Sequence, residues 1–159
     1  MGRIVLLLSL TLALGISVQA APAIATGPST DIGFQLLEKN RIQDFTQYVE
    51  HAQNINARNS VGGSYLHEVT RSYPENIALI RRLIELGVDL NAQDTNGFTA
   101  LFEAIFYEKM FSDSKRLPVI DLLIQAKANL DIPEVPYGWT SLYYAAWINR
   151  SDIVERLVA

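Results

Sequence analysis

The segment Ile55-Asn56-Ala57-Arg58-Asn59 returns thirty-five positions later as Leu90-Asn91-Ala92-Gln93-Asp94, and the residues after each copy run in parallel. A period in the mid-thirties constrains the fold more than any other property of this chain. Units of that length each bury one apolar face against the next, which makes a solenoid, and they offer another face to a partner. The pattern therefore points to binding rather than catalysis.

The first twenty residues bear on the compartment. Arg3 is followed by an apolar run from Ile4 to Val18 and then by small residues, the arrangement of a secretory signal peptide at 1–20. The run falls short of the roughly 20 residues that span a bilayer, and Ser9, Thr11, Gly15 and Ser17 dilute it. Cleavage after Val18-Gln19-Ala20 would start the mature chain near Ala21, with no stable membrane insertion afterwards; a retained anchor is the alternative. Residues 21–30, with Pro22, Gly27, Pro28 and Ser29, read as a linker. The expected location is periplasmic or secreted. The formal charge of −4 becomes −5 once Arg3 is removed, and no basic stripe exists to bind phosphate, so nucleic acid is not an expected partner. With no cysteine, neither a disulfide nor a lipid anchor at a lipobox is available.

From Asp31 onward helical patterning takes over. Residues 59–93 contain a turn at Gly62, a helix start at Ser64-Tyr65-Leu66-His67, a second helix through Ile80, Leu83 and Ile84, and a closing Gly87-Val88-Asp89-Leu90-Asn91. The following units carry Asn96-Gly97-Phe98-Thr99-Ala100-Leu101 and Tyr137-Gly138-Trp139-Thr140-Ser141-Leu142. These units resemble the ankyrin repeat, with Gly62, Leu66, His67, Leu83, Gly87, Asp89 and Asn91 at matching positions, although all three lack the family's proline after the cap. The resemblance implies an all-α fold, a solenoid of antiparallel helix pairs joined by β-hairpin-like turns. It divides 31–159 into a degenerate N-terminal capping unit (31–58), a repeat (59–93), a repeat with an insertion (94–133) and an incomplete repeat (134–159).

Local chemistry supports those boundaries. Gly97 and Gly138 stand where a tight turn needs positive φ, and Ser64, Thr99 and Thr140 can cap the first helices. Ser72-Tyr73-Pro74-Glu75 has the spacing of a capping box for a second helix, with Pro118 and Ser151 in comparable roles. In the leading unit Leu36, Leu37, Phe45, Tyr48 and Val49 are expected to face inward. The leucine-to-leucine spacing is 17 residues from Leu66 to Leu83, 22 from Leu101 to Leu123 and 15 from Leu142 to Leu157, which places the insertion in Tyr107–Arg116. Seven extra residues approach two helical turns, so the first helix of that unit can lengthen in phase. Leu157-Val158-Ala159 stops inside a second helix. Leu142, Ile153, Val154 and Leu157 are then expected to be exposed, with further repeats beyond the C-terminus or another molecule as cover.

Candidate chemistry is sparse. His67-Glu68 begins a zinc-protease motif, but Arg71 stands where the second ligand belongs and His51 is the only other histidine. His67 instead matches the repeat's usual histidine, which hydrogen-bonds backbone. Gly63-Ser64-Tyr65 lacks a nucleophile elbow. Glu68, Glu103 and Asp121 read as solvated, and Asn149-Arg150-Ser151 as a helix end rather than a glycosylation site. No enzyme activity, cofactor or metal is expected. The family resemblance places the turn fingers and the outer side of the first helices on a concave partner-binding face. It maps there Val61, Gly63, Glu68, Arg71, Thr95 and, as the partner-binding set, Phe98, Trp139, Tyr137, Phe106, Tyr144, Trp147, Glu103 and Asn96. Phe98 and Trp139, equivalent positions of consecutive units, are expected to form an aromatic ladder. The expected role is a protein-binding module, a periplasmic adaptor or protective binder; an immunity-type inhibitor of a toxin or enzyme, and a secreted host-directed effector, remain alternatives.

Overall fold

The computed structural model describes residues 31–111 and 115–159, with the side chains of 110 and 111 left aside. The signal peptide and linker expected at 1–30 lie outside the described residues. Eight helices are present among those described: α1 (Ile32–Glu38), α2 (Ile42–Val49), α3 (Tyr65–Ser72), α4 (Ile77–Glu85), α5 (Ala100–Phe111), α6 (Leu117–Gln125), α7 (Ser141–Trp147) and α8 (Ser151–Val158). They pair as α1/α2, α3/α4, α5/α6 and α7/α8. The first helices pack in one row, α1 to α3 to α5 to α7, and α4, α6 and α8 form a second. This is the all-α solenoid that the repeat implied.

One apolar core runs the length of the stack, and equivalent side chains build it: Leu66 and Leu101 in the first helices, Leu83, Leu123 and Leu157 in the second. The leading unit is tied on by Tyr65, fully buried and in ring contact with Phe34, Phe45 and Tyr48. Leu37, Phe45 and Val49 are buried as expected, while Leu36 and Tyr48 are half-buried and Phe34 takes the deep position.

The repeated motif is read out as hydrogen bonds between units. Asn56 Oδ1 accepts from Asp89 N at 2.7 Å, and Asn91 Oδ1 from Asn129 N at 2.8 Å. The fingers join likewise, Thr95 N donating to Val61 O and Val135 N to Asn96 O, both at 3.0 Å. Gly97 has φ +75°, and a Cβ there would lie 2.6 Å from Val135 N, so the close approach of consecutive fingers as well as the turn requires glycine.

Thr99 Oγ1 caps α5 and Thr140 Oγ1 caps α7, while Ser64 and His67 form a reciprocal box at α3. The capping box expected at Ser72-Tyr73-Pro74-Glu75 is not formed. Ser72 ends α3, where its hydroxyl donates to Glu68 Oε1, and α4 starts after Asn76, whose Oδ1 accepts from Leu79 N. Pro118 does lie in the first turn of α6, whereas Ser151 is the first residue of α8 and Arg150 precedes it. Asn149 closes α7 at φ 59°, the left-handed position that suits asparagine.

The insertion lengthens α5 to 12 residues, against 8 in α3 and 7 in α7. Glu108 on this extension is fully buried: its Oε2 accepts from Arg116 N at 3.4 Å and its Oε1 from Arg150 Nη1 at 3.0 Å. At the last unit Leu142 is 39% exposed and Val154 half-buried, but Ile153 and Leu157 are buried against α6 and α7, contrary to expectation.

Candidate binding surface

Each finger is organised by one acceptor side chain. Asn59 Oδ1 accepts from Val61 N and Gly63 N, Asp94 Oδ1 from Asn96 N and Phe98 N, and Glu134 Oε1 from Tyr137 N and Trp139 N. These three residues are equivalent positions, and in the second and third fingers they hold Phe98, Tyr137 and Trp139 in place. Sequence reading missed them, although a polar residue recurs there in every unit.

His67 links the first two full units. Ser64 N can only donate, so His67 Nδ1 is the acceptor, at 3.2 Å, and the proton resides on Nε2, which donates to Phe98 O at 2.9 Å. Both ring nitrogens are thus engaged, and burial holds the imidazole's pKa below its ordinary value. The expectation that it bonds neighbouring backbone is met, across a unit boundary.

The aromatic residues are continuous. Phe98 meets Phe102 at 4.7 Å and Phe106 at 5.5 Å between ring centroids; Phe106 stacks on Tyr144 at 5.6 Å; Tyr144 meets Trp139 at 6.1 Å and Trp147 at 5.8 Å. Tyr137 stacks on Trp139 at 4.9 Å. The path from Phe98 to Trp139 therefore passes through Phe102 or Phe106 and then Tyr144, which corrects the expected two-ring ladder. Tyr144, on α7, contacts Phe102 and Phe106 of the preceding unit and Trp139 of its own, and so stands between the two fingers' rings.

Of the eight expected contact residues, Tyr137 and Trp147 are 46% and 45% exposed, Asn96 is exposed, and Phe98, Phe106 and Trp139 are half-buried. Tyr144 and Glu103 are not surface residues. Tyr144 is 3% exposed beneath four rings, and the same burial raises its hydroxyl pKa to about 12. Glu103 is 2% exposed, with Oε1 3.3 Å from Arg71 Nη1 and Oε2 without a hydrogen-bond partner. Glu68, expected to be solvated, is also buried and pairs with Arg71. Both carboxylates lie where a long cationic side chain from the same surface covers them.

A family model described as ankyrin repeats in three copies matches residues 72–159, more than half of the chain. The chain belongs to the ankyrin repeat family. Over 57 residues it is 39% identical to ankyrin repeat and SOCS box protein 6 of Mus musculus and 35% identical to that of Homo sapiens. Those matches take in 36% of this chain and only 14% of each relative's length. The crystal structure of an ankyrin repeat domain from Acinetobacter baumannii AYE aligns with a TM-score of 0.69 at 23% identity, covering 94% of this chain and 72% of that one, a likeness of fold. Ankyrin repeats are protein-interaction modules, and no catalytic family is indicated for this chain.

Proposed function

We propose that this ankyrin protein is exported and binds a protein partner through its fingers and first-helix row, as a periplasmic adaptor or protective binder. The observation that supports the surface is the continuous aromatic array, half-open to solvent at Trp139 and more so at Tyr137 and Trp147. Large rings supply contact area at low entropic cost and often dominate interface energy. Export is supported by the Arg3 and Ile4–Val18 pattern. No stable membrane insertion follows cleavage, and among the described residues no helix is long and apolar enough to cross a membrane.

Crosslinking in the native envelope followed by mass spectrometry tests both parts. The mature chain should begin near Ala21, and one protein should be captured by the wild type. Joint Tyr137→Ala and Trp147→Ala substitution should weaken that capture at least about tenfold with the melting temperature little changed. Recovery of the uncleaved chain in carbonate-washed membranes would replace export with anchoring, and undiminished capture by the double variant would move the interface elsewhere.

A further inference from the structure

Comparing equivalent positions unit by unit sorts the exposed apolar side chains of the last unit into two sets. Leu142, Tyr143 and Ala146 are exposed where Leu66, His67 and Thr70, and again Leu101, Phe102 and Ile105, are buried by the unit that follows. Their exposure belongs to a stacking face. Trp147 differs: its counterparts Arg71 and Phe106 stay partly exposed with the following unit in place. The same holds for Tyr137 and Trp139, whose counterparts are Asn96 and Phe98. These three rings therefore lie on open surface whatever covers the stacking face. Trp139 bridges the others, 4.9 Å from Tyr137 and 5.3 Å from Trp147 between centroids.

The stretch of chain that carries them bears charge of one sign. From Ala128 to Asn149 the chain has Asp131 and Glu134 and no lysine or arginine. Glu134 Oε1 accepts from Tyr137 N and Trp139 N, which anchors its carboxylate at the base of the finger that carries both rings. Arg150, the next cation along, is held by Glu108 and by Asp152. On the two preceding units the chain supplies cations of its own: Arg71 pairs with Glu68 and Glu103, and the Arg116 guanidinium lies 5.8 Å from the Tyr107 ring centroid. The indoles of the last unit sit in a stretch that supplies none.

We propose that Tyr137, Trp139 and Trp147 form a seat for a basic segment of the partner, which lays a lysine or arginine side chain over the indole faces. Ring faces attract cations, and the carboxylates of Glu134 and Asp131 add to that attraction. This inference rests on the reading that the surface binds protein and specifies the chemistry of what it binds.

Trp139 and Trp147 are the only tryptophans in the chain, so intrinsic fluorescence reports on the seat directly. The probes are an alanine-spaced lysine peptide, its acetyl-lysine counterpart of equal length, and a glutamate counterpart. The lysine peptide should perturb the emission and bind at least about tenfold more tightly than the acetylated one, with affinity falling as salt rises. Trp147→Ala should weaken it at least about fivefold while Trp147→Phe retains most of the binding, with thermal melts showing both variants folded. Equal binding of the acetylated peptide overturns the cationic class but leaves a protein-binding surface in place. Unchanged lysine binding in Trp147→Ala, preference for the glutamate peptide, or no perturbation by any of the three overturns the seat itself; native-partner capture lost in the Tyr137/Trp147 double variant would still stand apart from that result.

Discussion

Glu103 occupies the position of Glu68 one unit along, but lies deeper, and only Arg71 reaches it. Burial raises its carboxyl pKa to about 8, with Arg71 pulling the other way and Asp94 and Glu68 adding to the rise. The folded-state value lies above the ordinary 4.5, so between those two pH values the folded protein keeps a proton that the unfolded chain releases. This group's stabilising contribution is therefore complete below about pH 4.5 and is lost as pH climbs towards 8. In Glu103→Gln the titration is gone, and urea unfolding across that range should show the variant gaining on the wild type as pH rises; parallel curves would mean Arg71 keeps the carboxylate charged at low cost. Lys127 offers a second test at this scale. It stands where Gly87 stands one unit earlier and holds φ 65°. Lys127→Gly should stabilise the fold by about 1 kcal/mol in the same assay, because a side chain with a Cβ is strained there. Repeat spacing makes the position of these residues legible in sequence, but not the burial of Glu103. A glutamate on a first helix reads as solvated until Arg71, which covers it from one unit back, is placed in three dimensions.

Helix α5 shows how an element absorbs an insertion. The leucine spacing locates the extra residues and allows for a longer helix, which α5 is, with 112–114 outside the described residues. What fixes the extension is the Glu108 carboxylate, clamped between Arg116 of the same unit and Arg150 of the next. Glu108 and Arg150 are 42 residues apart and belong to no repeated motif, so sequence gives no reason to join them. Glu108→Ala leaves a partly buried guanidinium short of its counter-charge and should cost about 3 kcal/mol in chemical denaturation. A cost within experimental error would mean that Asp152 alone satisfies Arg150. The start of α4 departs from the sequence expectation because Ser72 is still the last residue of α3, its hydroxyl donating to Glu68, and the cap falls to Asn76 four residues on.

Across the whole molecule, the periodicity predicted the architecture because every unit repeats the same contacts, from the Asn56 and Asn91 bonds to the buried leucines. The last unit departs from that regularity, with Leu142, Tyr143 and Val158 exposed together. A contiguous apolar face of this kind favours self-association. Sedimentation should show the chain associating with rising concentration, and joint Leu142→Lys and Val158→Lys substitution should shift it towards monomer; identical profiles would show that the face is too small or too dispersed to matter. The order of the joints also determines how the molecule responds to load. Stretched from its two ends, a stack of units behaves as springs in series, and such a series yields first at its most compliant member. The full units are fastened finger to finger by Thr95 with Val61 and Val135 with Asn96. Among the described residues the leading unit is joined instead by the Asn56 loop, packed rings, two tyrosine hydroxyls from Tyr65 to Asp31 and Tyr73 to Leu37, and the ion pairs of Arg82 with Glu50 and Arg58 with Asp89, which are solvent-exposed and so contribute little. Tension would peel that first unit away while the aromatic surface at the other end kept its shape, so a partner held there would survive a pull that had already begun to unwind its holder.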